Sequence, residues 1–292
     1  MTQAGGIGGL SVATEAEVAA FWNAHPCGEA AVGGRRGDYL EFFDRYDGYR
    51  YGKEPHILRR LDELEWAGKR VLEVGLGLGA DSEQIVRRGG RWSGVDLTEE
   101  SVDVVRTRFD LHALPYERLE VASVIDLPFD AHTFDVVYSF GVLHHVPQVR
   151  DAQREIARVL KPGGRLVAML YAKHSVNYWI SIALVRRAAV AAVCVTGRNA
   201  SGILGAHVRN ARELGLLRYL AMERFVYANT DGPYNPYSRV YTVRDVRREF
   251  DRFRLVKVQK DFMHAPPLPV GRLDSLAGLL GWHLWVQLES LA

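Results

Sequence analysis

Through the first 66 positions the apolar residues fall at helical spacing. From residue 69 they gather instead into short runs separated by amphipathic stretches. Thr14-Glu15-Ala16-Glu17 reads as a helix start, with Thr14 as cap and acids in the first turn, and the helix runs to about Trp22. Further amphipathic helices are expected over 38–46 and 54–64, with an aromatic segment, 42–51, between them. Strands then follow over 70–74, 91–96, 119–123, 134–139 and 165–171, with helices over 81–88, 99–108 and 149–159. Alternation of this kind predicts an α/β fold in which helices cover both faces of a mostly parallel, doubly wound sheet. A stretch of about 70 residues comes next. It holds an apolar helix over 178–195, a second helix near 212–224 and a turn-rich run over 229–237. A helix starting at Thr242 and strands over 254–262 and 282–288 complete the sheet. The expected division is a helical cap over 1–66, a core over 67–171, a helical insertion after the fifth strand over 172–241, and completion of the core over 242–292.

Composition narrows the class. In 292 residues, 48% hydrophobic content and 30 aromatic side chains exclude a disordered chain. The glycine-rich residues 1–12 are expected to be mobile. Two widely separated cysteines, Cys27 and Cys194, exclude a disulfide scaffold and a cysteine zinc cluster, and they fit a reducing, cytoplasmic setting. The first residues lack a basic start followed by an apolar stretch, so no secretory signal is read. Arg186 and Arg187 interrupt the apolar run at 178–195, leaving pieces of about eight residues where a spanning helix needs about 20. A cap or core helix is therefore expected, with no transmembrane segment. Charge is unevenly spread. Residues 1–150 hold 16 Lys/Arg against 24 Asp/Glu, and residues 151–292 hold 21 against 11. The basic half suits an anionic partner such as a phosphate, a carboxylate or RNA, although the two halves can also simply attract each other.

The chemistry-bearing signal begins at Glu73-Val74-Gly75-Leu76-Gly77-Leu78-Gly79, placed between a strand and a helix. Glycines there permit a tight turn and close approach of a ligand to the backbone. Asp96 follows Gly75 by 21 residues at the carboxyl end of the next strand, where an acid accepts hydrogen bonds from ribose hydroxyls. Further blocks follow in order: Ile125-Asp126-Leu127-Pro128-Phe129, Thr133-Phe134-Asp135-Val136-Val137, Val142-Leu143-His144-His145-Val146 and Val159-Leu160-Lys161-Pro162-Gly163-Gly164. Over about residues 55–171 this series resembles the class I S-adenosylmethionine-dependent methyltransferases. A nicotinamide enzyme would usually carry a third glycine where Ala80 stands.

The resemblance implies a Rossmann-like sheet of seven strands and S-adenosyl-L-methionine as cofactor. It places Gly75, Gly77 and Gly79 against the methionine part, with Glu73 fixing the amino group or the loop. Asp96 would bind the ribose, Leu97 would lie against the adenine, Ser123 and Val124 would border it, and Ser139 and Phe140 would flank the sulfonium. Family members often have an aspartate where Ser123 stands.

Methyl transfer from a sulfonium needs an acceptor lone pair held in line and a route for the acceptor's proton. His145 is the candidate base, with His144 beside it; the alternative for His145 is a structural hydrogen bond holding the following helix. Some quinone O-methyltransferases bind a metal with a matching histidine and acidic neighbours. Gly141 and His144 stand where those acids would be, so no metal is expected. Ser139-Phe140-Gly141-Val142 is not the Asn/Asp-Pro-Pro-Tyr of base and amide nitrogen methylases, and Pro26-Cys27 lies too far upstream to be a cytosine-carbon nucleophile. Tyr46, Tyr49 and Tyr51 are candidates for closing the pocket, and Tyr234, Tyr237, Arg239 and Tyr241 for shaping the acceptor site. The function expected is methylation of an oxygen or nitrogen on a small-molecule metabolite, anionic or apolar, in secondary or cofactor metabolism. Carbon methylation of a quinone or isoprenoid and methylation of RNA are the alternatives. No separate RNA-binding module is visible, so nucleic acid is not the expected partner. A homodimer stays open.

Overall fold

The computed structural model describes residues 13–26, 28–33 and 38–291. Cys27 and the glycine-rich residues 1–12 lie outside the described residues. The strands expected in the first half form as β1 (Arg70–Val74), β2 (Arg91–Asp96), β3 (Arg118–Val121), β4 (Phe134–Phe140) and β5 (Leu160–Ala172). The central strands β1, β4 and β5 are apolar on both faces because both faces are covered, whereas β3, at the edge, leaves Val121 exposed. Along β5, Val167 and Met169 join one buried cluster while Leu166, Ala168 and Leu170 join the other, and β1 divides Val71 from Leu72 and Val74 in the same way. This is the two-residue period of a strand buried on both sides.

The helices α4 (Ala80–Arg87) and α5 (Glu99–Leu111) supply Ile85, Val102, Val105 and Phe109 to the first cluster. The helices α6 (Val149–Val159) and α11 (Val243–Glu249) supply Ile156 and Val246 to the second. The strand order is β3-β2-β1-β4-β5-β8-β7, with β7 (Phe253–Asp261) and β8 (His283–Ser290). Pairs from β3 to β5 are parallel, and β8 runs antiparallel to both β5 and β7. The doubly wound, mostly parallel, Rossmann-like sheet thus forms, with an eighth, two-residue strand, β6 (Val240–Tyr241), pairing with β5. The order in which strands are added reverses between β1 and β4, which stay parallel, and a crevice opens at the carboxyl ends of strands at such a point.

Several elements differ from expectation. The aromatic segment 42–51 is not a connection: it belongs to α2 (Tyr39–Lys53), which Asp38 caps by accepting from the Leu40 amide at 2.8 Å. Phe42, Phe43 and Tyr46 are buried on this helix, and that packing outweighs the low helix propensity of Gly48 and Gly52. The helix α3 (His56–Asp62) starts after Pro55. The helix expected near 212–224 is broken at Gly215, whose φ of 85° lies in the left-handed region. The chain there forms α8 (Gly202–Leu214), α9 (Leu216–Tyr219) and α10 (Met222–Thr230), so the first residues of the expected turn run are helical.

The apolar stretch is one helix over Asn177–Thr196, π-wound through Asn177–Arg186 and α-helical in α7 (Arg187–Thr196). It is long and apolar enough to cross a membrane by length and composition. Arg186, at its middle, donates to the Pro266 and Asn229 carbonyls, both at 2.8 Å. The core-helix alternative fails for most of its surface, since Trp179, Leu184 and Val195 are exposed.

Candidate active site

The turn after β1 is built from positive-φ glycines. Gly75 has φ 79°, and a methyl group there would come within 2.1 Å of Val142 Cγ2, so neither its backbone nor its packing accepts a side chain. At Gly77, φ 53°, a Cβ would meet nothing within 4 Å. The turn is tied to β2 from both sides: the Gly75 amide donates to the Val95 carbonyl at 2.9 Å, and the Leu76 amide donates to Asp96 Oδ2 at 2.7 Å. Asp96 Oδ1 accepts from Thr98 N at 2.9 Å and from Thr98 Oγ1 at 2.8 Å. Burial pushes the Asp96 carboxyl above its ordinary value, against the pull of these bonds from Leu76 and Thr98.

Turn and carboxylate face one cavity of about 340 Å³ at the switch point. The expected residues Glu73, Gly75, Gly77, Asp96, Leu97, Val124, Phe140, His145 and Tyr46 line it. Others do not reach it. Gly79 caps α4, packed so that a Cβ would sit 3.1 Å from Val105. The hydroxyl of Ser139 is buried and donates to the Val74 carbonyl at 3.2 Å. Ser123 donates to Glu15, and Glu15 itself lines the cavity from α1 (Glu15–Ala24). Tyr51 donates to Asp81 at 3.1 Å. Tyr237 turns its ring onto Tyr227, and Tyr234 is exposed at the surface beside Arg209.

The two adjacent histidines divide. His144 is wholly buried with its ring over Tyr171, 3.8 Å between centroids, and burial holds its pKa well below the ordinary imidazole value. The expected partnership of His144 in catalysis is therefore corrected: its ring packs in the core and does not line the cavity. His145 does line it. Its Nδ1 lies 2.8 Å from the Tyr237 carbonyl, which only accepts, so Nδ1 carries a proton and Nε2 is the nitrogen turned to Asp231. Nε2 lies 3.3 Å from Asp231 Oδ2, and Asp231 Oδ1 accepts from Tyr171 at 2.8 Å. Burial raises Asp231, but His145 and the hydrogen bonds from His145, Tyr171 and Thr230 outweigh it and hold the carboxyl below its usual range. Trp22 of α1 meets the His145 ring edge-on at 5.1 Å.

Sequence reasoning missed Asp231, which reads as a turn residue in Asn229-Thr230-Asp231-Gly232. It also missed a buried cluster around Asp81, the second residue of α4. Arg50 donates to Asp81 through Nε at 3.0 Å and Nη2 at 2.7 Å, and Tyr138 donates at 2.9 Å. The Arg50 guanidinium lies 4.6 Å from the Phe140 ring centroid. The position of Asp81, two residues past the third glycine, was the available signal. Glu73 accepts from Trp92 Nε1 at 2.8 Å, and burial, with the Asp81 charge, pushes its carboxyl up to about 8. Among the described residues one group has metal-ligating potential, Glu54, His56 and His283, two of which line the cavity.

Residues 72–168 match a family described as a methyltransferase domain. The chain is 38% identical over 105 residues to a ubiquinone biosynthesis O-methyltransferase of Idiomarina loihiensis, covering 34% of this chain and 41% of that one. It is 36% identical over 128 residues to a demethylmenaquinone methyltransferase of Tropheryma whipplei, covering 40% and 52%. The chain thus spans about half the length of the curated relatives it matches. Among solved structures it is similar in fold to a geranyl diphosphate C-methyltransferase from Streptomyces coelicolor, with a TM-score of 0.54 at 16% identity, covering 94% and 98% of the two chains. It is equally similar to the [4+2]-cyclase SpnF, with a TM-score of 0.55 at 14% identity and 94% coverage of both. The same fold therefore carries more than one chemistry.

Proposed function

On the premise that this chain belongs to the class I S-adenosylmethionine-dependent methyltransferases, its residues 72–168 carrying the domain, we propose that it methylates an oxygen on the ring of a small aromatic metabolite of the phenol or quinol kind. One observation carries the reading: the glycine turn and Asp96 are hydrogen-bonded to each other and open onto one cavity at the switch point of the sheet.

The residues present fit the cofactor. A cradle free of side chains lies at Gly77, and the Asp96 carboxylate, held by donors of Leu76, Gly77 and Thr98, lines the cavity beside it for a ribose hydroxyl. Arg50 uses two of its five N–H donors on Asp81, leaving others for a carboxylate. Glu15, beside Ser123, adds an acceptor at the adenine end. Acids outnumber bases along the wall even without the protonated Glu73, which suits a cationic ligand: Glu15, Glu54, Asp81, Asp96 and Asp231 against Arg50 and Lys53. When bound, S-adenosylmethionine supplies an electrophilic methyl on a sulfonium.

The chain's own residues orient the acceptor and take its proton. Phe262, Trp282, Tyr171 and Trp22 line the part of the wall shared with His145, and Tyr171 stacks on Trp282 at 4.5 Å. Flat aromatic walls favour a flat ring. With Nδ1–H spent on the Tyr237 carbonyl, His145 turns Nε2 to Asp231 Oδ2 at 3.3 Å, and this His–Asp pair at the cavity wall takes the proton of the acceptor hydroxyl.

The test combines isothermal titration with S-adenosylhomocysteine and a methyl-transfer assay over a panel of catechols, quinols and phenols. Cofactor affinity together with transfer to one of these rings is expected. Folded protein that binds no S-adenosylhomocysteine at millimolar concentration overturns the cofactor assignment. Affinity with transfer only to nitrogen or carbon acceptors overturns the acceptor.

A further inference from the structure

We propose that Glu54, His56 and His283 form a binding site for one divalent transition-metal ion of the zinc class. The proposal stands whether or not the chain transfers methyl groups. Two of the residues come from one short stretch, Glu54 at the end of α2 and His56 opening α3, and the third, His283, opens β8 227 positions further on. Their ligand atoms all lie within 4.8 Å of one another, and His56 Nε2 is 2.9 Å from His283 Nδ1. In a tetrahedral site with Zn–N and Zn–O bonds of about 2.0–2.2 Å, ligand atoms sit about 3.3–3.5 Å apart. The two imidazoles need to part by only a few tenths of an ångström, and the Glu54 carboxylate to swing inward.

Two imidazole nitrogens 2.9 Å apart hold one proton between them, and when that proton moves to an outer ring nitrogen both lone pairs are free for an ion.

The surroundings are aromatic: Phe262 lies 5.6 Å from His56 and 4.7 Å from His283, and Phe140 lies 5.5 Å from His283. The nearby guanidinium groups are already committed to other carboxylates, Arg59 and Arg60 to Asp261 and Arg50 to Asp81. Two histidines and one carboxylate select zinc, cobalt or ferrous iron over magnesium or calcium, whose ligands are oxygens. Glu54 and His283 line the cavity, so the open coordination position faces it, next to His264.

The experiment uses the full chain, stripped with a chelator and dialysed. Cobalt is titrated by its visible absorption and zinc by calorimetry. One ion per chain with the intense spectrum of a tetrahedral cobalt site is expected. The substitutions His283→Ala, His56→Ala and Glu54→Gln should each weaken binding by more than the roughly 10–100-fold that loss of an outer-shell partner costs. His174→Ala, at an exposed histidine, should leave it unchanged. Because a variant can fail to fold, diethylpyrocarbonate labelling of the unmutated chain is mapped with and without zinc, and protection confined to His56 and His283 is expected. No zinc retained, affinity unchanged in folded His283→Ala, or protection at other histidines overturns the site. S-adenosylhomocysteine titration of the stripped chain, run in parallel, reports the cofactor reading separately.

Discussion

Asp96→Asn tests the union of turn and carboxylate with little change of shape. In the parent, Oδ1 takes two hydrogen bonds from Thr98 and Oδ2 one from Leu76, at 2.7–2.9 Å. The Gly77 backbone also bonds the carboxyl, so of about four lone-pair directions the one that remains for a ribose hydroxyl is the one that the Thr98 hydroxyl vacates. Asparagine keeps one oxygen. Whichever way its amide points, an NH₂ group faces an N–H donor, so the variant loses either the Leu76 bond or the Thr98 pair. A hydrogen bond to a charged group contributes about 1.5–3 kcal/mol. Loss of the one remaining acceptor position should therefore weaken S-adenosylhomocysteine binding roughly 10- to 150-fold, with a fall of similar free energy in unfolding stability. Calorimetry and guanidinium unfolding, each with and without the ligand, measure the two separately. A folded variant with the parent's dissociation constant would show that Asp96 closes the turn and touches no ligand, and the reasoning would fail.

Gly75→Ala puts a methyl group 2.1 Å from Val142 Cγ2 at a φ of 79°, so it should destabilise by roughly 2–5 kcal/mol in thermal unfolding, with Val142→Ala restoring only the steric part. His145→Ala and Asp231→Asn should each lower turnover far more than cofactor affinity, and a matching fall in both would place the pair in binding instead. Glu73, at about 8 when folded against 4.5 unfolded, keeps a proton that the unfolded chain loses, so its contribution to stability is full below pH 4.5 and is lost as pH rises toward 8. The buried histidines act oppositely: His56 at about 3 and His264 at about 4 favour the folded state above pH 6.5, and that advantage is lost as pH falls toward those values. Subtracting the stability profile of Glu73→Gln from the parent's should leave a slope approaching 1.4 kcal/mol per pH unit between pH 5 and 7.5; a flat difference would mean that Glu73 is ionised in the fold.

The alternation of buried runs and helices was legible because the central strands β1, β4 and β5 are apolar on both faces and each crossover helix carries one stripe. The glycine turn and Asp96 were legible because their chemistry is local in sequence. Asp231 and His283 were not: each matters through a partner brought to it by tertiary folding, His145 in one case and His56, 227 positions away, in the other. The sequence offers no periodicity for such pairs. The helix over 212–224 breaks at Gly215, which looks like an ordinary interior residue until its φ of 85° is known, and again at Ala221, whose ψ of 129° is not helical. The aromatic segment 42–51 failed in the other direction, since Gly48 within it, Gly52 just after it and several rings concealed one helical face.

The position of β8 between β5 and β7 sets an order on biosynthesis. At about 5–20 residues per second, the roughly one hundred residues between β5 and β8 take on the order of ten seconds to emerge, and until then β5 stands as a bare rim with unpaired amides. The ribosome-bound chain carries that adhesive border through the synthesis of its greasiest helix, so a holdase on the nascent polypeptide should raise the yield more than faster translation would.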